Sequence, residues 1–333
     1  MFQVALIKSD GSARYDITPI VGGMSWDSDF TITTAFEFDV AFSDTRFFPT
    51  IPCDVGDMVI LAKGEDEVFR GIIVSESRKG RSPVTYSAYD FSWYLGQSKS
   101  VYQFNRISAS QAITKIVDDF GISIGSIPDM PTLIDKIFIQ ESPGKIIQYI
   151  IDTVEKHEGY QINGEMREGK LYLEKRQDLL ITGTFRLAEN ISEADVTQVI
   201  GSPSRTRSIE EMRNRIQIIV DDEETEYEVT AQEQDDALIA RYGLLEETIK
   251  IDAEDAAKSR QVAKIMLQRL GKVHEKNAVK LMGDIRFKAG RLLDLVEPVT
   301  GMTGRFMIAS AKHRVANLIY TMDIELVFPE DVG

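Results

Sequence analysis

Three histidines, one cysteine and 53 aspartates and glutamates bound the chemistry open to this chain of 333 residues. His157, His274 and His313 are far apart, and none has a second His, Cys or carboxylate at ligand spacing, such as the i, i+4 pair that one helix face offers a metal. His157-Glu158 reads as a helix end, where an imidazolium faces the carbonyl dipole. Ser310-x-x-His313 suggests the start of a nucleophilic pair, but no Gly-x-Ser-x-Gly elbow accompanies it and no carboxylate is placed to orient the ring. A structural polar contact is the expected role. Cys53, being alone, cannot form an internal disulfide; it reads as a small buried hydrophobe in a chain that folds in a reducing cytosol. Gly-x-x-x-x-Gly-Lys-Ser/Thr is missing, and Gly22-Gly23 precedes a strand rather than a helix, so its amides would not converge on a phosphate. Among so many carboxylates a pair suited to glycoside hydrolysis can always be found, and the pattern singles none out. The expectation is no catalytic, cofactor-binding or metal residue, and no cofactor.

The formal charge of −15 works against stable nucleic-acid binding, which needs clustered Lys and Arg to displace counterions. Asp221-Asp-Glu-Glu-Thr-Glu226, Glu246-Glu247 and the run from Asp252 to Asp255 read as solvated acidic loops. Arg205, Arg207, Arg213 and Arg215 form a positive cluster without interleaved aromatics, which reads as salt bridges to a neighbouring acidic surface. No run of about 18 uncharged apolar residues occurs, and Met1-Phe-Gln-Val-Ala-Leu-Ile-Lys8 lacks a basic n-region and a cleavage site. No membrane insertion is expected.

The elements that would position these residues are mostly strands, and one set occurs twice. Gly56-Asp-Met-Val-Ile-Leu61, Phe69-Arg70-Gly-Ile-Ile-Val-Ser75 and Val84-Thr-Tyr86-Ser are echoed by Gly290-Arg-Leu-Leu-Asp-Leu295, Gly304-Arg305-Phe-Met-Ile-Ala-Ser310 and Ile319-Tyr320-Thr. Gly to Arg spans 14 positions in one and 15 in the other, and Arg to Ser five in both. Each copy reads as three strands joined by turns, so 56–88 should superpose on 290–324, with Gly56 over Gly290 and Tyr86 over Tyr320.

Around the repeat the period changes twice. Phe2 to Ile7 and Arg14 to Ile17 read as a hairpin about Asp10-Gly11, and Phe30 to Thr34 and Ala35 to Phe42 as alternating strands. From Ser108, apolar residues recur at helical spacing to Phe120 with Gly121 as the stop; a second helix runs from Pro143 to His157 and ends at Gly159. Lys136 to Ile139 is a strand, and Tyr160–Gly164 with Gly169–Glu174 a hairpin. Asn214–Val220 and Glu226–Thr230 pair across the acidic loop, and Asp252 caps a long helix stopped by Gly271. The expected class is α+β, mainly β: an N-terminal β-barrel module over 1–105, a small α+β insert over 106–176, and a linker with a C-terminal β-barrel module over 177–333, carrying the long helix near 252–270.

This order of modules, closing on Gly304-Arg305-Phe-Met-Ile, His313 and Tyr320-Thr-x-x-Ile-Glu-Leu326, resembles the phage tail hub family, in particular the XkdQ/YqbQ group of PBSX-like prophages. Ala237-Leu-Ile-Ala-Arg-Tyr-Gly243 looks like that family's turn into its second barrel. Ile137-Phe-Ile139, Ser142-Pro-Gly and the helix to Gly159-Tyr160 are similar to its small insert, LysM-like in some relatives. The resemblance implies a non-enzymatic baseplate hub of a contractile tail or a bacteriocin-like particle, assembled in the bacterial host cytoplasm. It implies a homotrimeric ring of six tail-tube-like β-barrels, the tail tube on one face and the central spike on the other, with baseplate wedge and LysM-bearing tail proteins as further partners. An acidic channel wall would let DNA slide without sticking. The alternatives are a peptidoglycan-binding module and a tail-associated cell-wall hydrolase.

Overall fold

The computed structural model describes residues 1–45, 48, 51–181, 186–187, 199–221, 229–252, 256–257 and 259–331. It divides into a unit formed by Met1–Pro203 with Ala278–Gly333 and a second unit, Ser204–Asn277. The chain is mainly β.

In the first unit, Phe2–Ile7 pairs antiparallel with Arg14–Asp16 on one side and with Met58–Lys63 on the other. The neighbour order then runs through Asp66–Ser77, Val84–Asp90, Ala35–Val40 and Val21–Ser28. Strict alternation sends Phe36, Phe38 and Val40 inward, where they meet Leu61, Phe69, Ile73 and Tyr86 in one core. The segment 30–34, expected as a strand, is not one. Asp29 Oδ1 accepts from the Thr31 amide at 2.7 Å and from its hydroxyl, and this local turn competes with pairing.

The C-terminal strands repeat this order: Leu292–Glu297, Met302–Ala316, Ile319–Val327, His274–Met282 and Val199–Ser208. Residue-level correspondence is close. Gly56 and Gly290 take positive φ, +93° and +78°. The Gly56 amide donates to Ile73 O at 2.8 Å and Ile73 N to Asp57 O at 2.9 Å; Gly290 donates to Ile308 O and Ile308 N to Arg291 O, both at 2.9 Å. Both second strands bulge one residue later, between Ile73 and Ser75 and between Ile308 and Ser310. Gly56 thus lies over Gly290 as expected, but Tyr86 does not correspond to Tyr320. After the bulge Glu76 faces Tyr86 while Ala311 faces Ile324, so Tyr86 corresponds to Ile324. The second hairpin is longer, continuing to Ala316 and turning through Asn317 and Leu318, both at positive φ, which carries Tyr320 toward the tip.

The expected barrels do not close. Among the described strands the order is an open path from Arg14–Asp16 to Arg186–Leu187. Closure needs a sheet's first and last strands to pair; here Val21–Ser28 gives its outer edge to Met302–Ala316, in register from Ala311 with Ser28 to Val315 with Met24. The two halves are therefore one sheet with a seam, over separate cores.

Residues 109–175 build their own core. Ser108 caps the helix Ala109–Asp119 through a reciprocal box with Gln111, and Ser142 caps Pro143–Glu158, which ends at left-handed Gly159. Ile113, Ile116, Ile147, Ile150 and Leu171 lie inside, joined by Tyr102 and Phe104 from the strand Ser100–Ser108. That strand pairs with Leu133–Glu141, and the hairpin Ile162–Arg167/Lys170–Lys175 turns through Glu168 and Gly169, both at positive φ.

In the second unit Arg215–Asp221 lies between Val229–Gln234, antiparallel, and Glu246–Asp252, parallel. The helix Ser259–Leu270 covers Ile216 and Ile218 with Ala263. Asp252 ends a strand instead of capping that helix, because the β-branched Thr248, Ile249 and Ile251 favour pairing. The Asp235-capped helix Asp236–Tyr242 replaces the expected turn at 237–243. Residues 222–228 and 253–255, holding most of the acidic runs and the start of the expected strand from Glu226, lie outside the described residues.

Candidate functional site

The seam holds the only histidine among the three that is fully enclosed. His313 faces Trp26 across it, with the rings stacked at 4.9 Å and 6°. His313 Nε2 lies 2.7 Å from Phe287 O and so donates; Nδ1 accepts from the Tyr320 hydroxyl at 2.9 Å. Burial pushes the imidazole pKa down to about 4, leaving a neutral ring of fixed tautomer that ties three segments together. Ser310 cannot join it in nucleophilic chemistry: at an odd spacing on one strand the two side chains point to opposite faces. The Ala289 amide also crosses the seam, donating to Ser28 Oγ at 3.0 Å.

A second cluster pins the hairpin 162–175 to the C-terminal half. Glu165, 8 % exposed, accepts from Arg291 Nη2 at 2.7 Å, and Lys288 Nζ stands 4.0 Å from its other oxygen. Burial alone would raise the Glu165 carboxyl, but Lys288, Arg291 and Arg167 outweigh it and hold the pKa below the ordinary value. Burial lowers Lys288 against the pull of Glu165. Beside them Gly290 packs so closely on Asn163 that a Cβ would sit 1.9 Å from Oδ1. The position after the other repeat glycine is also a buried charge: Asp57, 1 % exposed, accepts from Lys8 Nζ at 2.5 Å and from the amides of Ser9 and Asp54 at 3.0 and 2.9 Å. Asp90 accepts from Thr34 N at 2.7 Å and from the Ser92 amide and hydroxyl; burial nonetheless raises its pKa to about 6. The space beside Glu165, Asp90 and Lys288 is only about 30 Å³, room for a water and not for a metabolite.

The other sequence-singled residues lie apart from these clusters. His157 is exposed in the last turn of Pro143–Glu158, His274 half-buried at a strand start. Cys53 is buried, its thiol pushed up to about 12. Arg205 and Arg207 both pair with Glu275, Arg213 with Glu247 and Arg215 with Glu246, all within the second unit. Among the described residues no group of three His, Cys, Asp or Glu could hold a metal, and no helix is long and apolar enough to cross a membrane. An open cleft of about 760 Å³ lies between the helix Pro143–Glu158 and the segment 29–33. Its three acids accept hydrogen bonds: Glu155 from the Ile162 amide, Asp152 from Gln148 Nε2 and Asp29 from the Thr31 amide, each at 2.7 Å. Trp26, Asp90, Glu165, Lys288 and Arg291 were not singled out as site residues from sequence; Asp57 and Arg291 did carry a signal, each following a repeat glycine.

The chain matches the YQBQ-like family over residues 24–327. It is 23 % identical over 276 residues to the uncharacterized protein YqbQ of Bacillus subtilis (strain 168), covering 82 % of this chain and 81 % of that one. Among solved structures it resembles the 43 kDa tail protein of prophage MuSo2 from Shewanella oneidensis, with TM-score 0.73, 16 % identity and 99 % of both chains covered. It also resembles the tail protein from Neisseria meningitidis MC58, with TM-score 0.69, 12 % identity and 98 % and 96 % covered.

Proposed function

The chain belongs to the YQBQ-like family, and from that premise we propose that it is a non-enzymatic baseplate hub of a contractile phage tail or tail-like particle. The fold is that of phage tail proteins. The observation that carries the role is the duplication: two five-strand sets in the same order, with matching glycines, closures and bulges, lie edge to edge in one chain. Three such chains present six equivalent sets, what a ring needs to seat a sixfold tube on one face and a threefold spike on the other. In this reading 1–105 and 177–333 build the ring, and 106–176, with its own core, stands outside it. The neutral, locked His313 and the internally paired Glu165 fit a load-bearing frame. A net charge of −15 suits a wall along which DNA slides. Tube, spike, wedge and LysM-bearing tail proteins are the proposed partners, the particle the proposed location.

Deleting the gene from a producing host tests this. Particles should then lack joined baseplates, and wild-type copies should be found in purified particles at half the tube protein's number per ring. Normal particles without the chain would contradict it. The peptidoglycan-binding and hydrolase readings make different demands: retention on purified cell walls, or clearing in a cell-wall zymogram.

A further inference from the structure

The open cleft beside the helix Pro143–Glu158 carries donors that the chain itself leaves unanswered. Ser142, Lys145, Gln148, Asp152 and Glu155 line one wall, a single helix face at steps of three and four residues. At 1.5 Å per residue this wall runs about 20 Å, the length of about six residues of extended chain. Segment 30–33 lines the other side, and Leu95 and Gly96 complete the surface. Among the described residues the amides of Phe30, Ile32 and Thr33 donate no hydrogen bond. Arg176 adds a charged donor: its Cζ lies 4.8 Å from the centre of the Phe30 ring, and its Nε is enclosed without an acceptor. The acids Asp29, Asp152 and Glu155 already accept hydrogen bonds.

Resting on the hub reading, we infer that this cleft holds an extended, uncharged and apolar peptide segment from another protein of the particle. Three features choose that occupant. A trough this long and open encloses little of a compact metabolite, whereas an extended chain meets it along its length. The unanswered groups are donors, and a peptide backbone offers a carbonyl acceptor at every residue. The charges of the cleft nearly cancel, three acids against Lys145 and Arg176, which favours neither an acidic nor a basic tail. Uncharged apolar side chains suit the half-buried Phe30 and Ile32 and the buried Leu95. The cleft lies where the stretch 106–176 meets the N-terminal module, so its occupant would hold the two at a fixed angle. Gly96 gives the means to close it: a Cβ there meets nothing within 4 Å, so a large side chain enters open space.

The test is photo-cross-linking in purified particles. The photoreactive residue p-benzoylphenylalanine replaces Lys145 or Gln148, both exposed on the cleft wall, and the cross-linked peptide is sequenced by mass spectrometry. The expected product joins either position to one uncharged, apolar stretch of another particle protein. It should be lost when Gly96→Trp fills the cleft and kept in Gly96→Ala, whose methyl group leaves the cleft open. Particles that contain the chain but give no cross-link at either position would overturn the inference and leave the hub reading standing. So would a product with a charged segment, with a glycan or with this chain alone, or one that survives Gly96→Trp. Particles that lack the chain would overturn both. Two positions are used so that one poorly folding variant does not decide the outcome.

Discussion

At neutral pH His313 is an uncharged ring held between a carbonyl and a phenol, and protonation would place a charge where burial disfavours it. Its folded pKa of about 4 lies below the ordinary 6.5, so the unfolded chain takes up the extra proton first. The stability linked to this group is full above pH 6.5 and is lost as pH falls through the folded value. Asp90 runs the other way: with a folded value of about 6 against 3.8, its contribution is full below 3.8 and lost as pH rises through 6. The two slopes oppose each other between pH 4 and 6. Removing one exposes the other, so His313→Gln should lose about 2 kcal/mol less than the parent between pH 7 and 5. Urea midpoints at both pH values check this; equal acid sensitivity would show that the ring is not the buried neutral group described. Glu165→Gln makes a harsher demand, leaving Arg291 and Lys288 without their shared counter-charge. A loss of about 3 kcal/mol is expected. A loss within experimental error would mean that solvent already screens the cluster.

The repeat glycines make the same comparison at the level of elements. Gly56 and Gly290 both need positive φ, so alanine strains either turn by about 1 kcal/mol or more. At Gly56 a Cβ meets nothing within 4 Å, whereas at Gly290 it runs into Asn163. Gly290→Ala should therefore be the more damaging, and Asn163→Ala should recover part of the difference; equal losses in thermal unfolding would contradict the pinning of the hairpin 162–175. The glycines could be found in the sequence because a turn conformation constrains a single residue. The helix limits at Ser108, Gly121, Pro143 and Gly159 were legible for the same reason: the signals that start and stop a helix are local. Tyr86 and Tyr320 resemble each other in local sequence, but their equivalence depends on hairpin length and a bulge, which only cross-strand pairing sets. Glu165 and Arg291 are 126 positions apart, and nothing local in either announces the other. The seam hid for a like reason, because alternation shows which face of a strand is buried and not which strand lies beside it.

On the scale of the whole molecule, the duplicated sheet is open in one chain, and in the proposed hub three chains together form the ring. In the proposed hub the stretch with its own core has no need of the ring to stay folded. An image reconstruction of intact particles, computed without imposed symmetry, measures this most directly. The account expects one ring of three copies between tube and spike, six sheet halves around the channel, and residues 106–176 on the outside. Six copies in the ring, or residues 106–176 lining the channel, would contradict it.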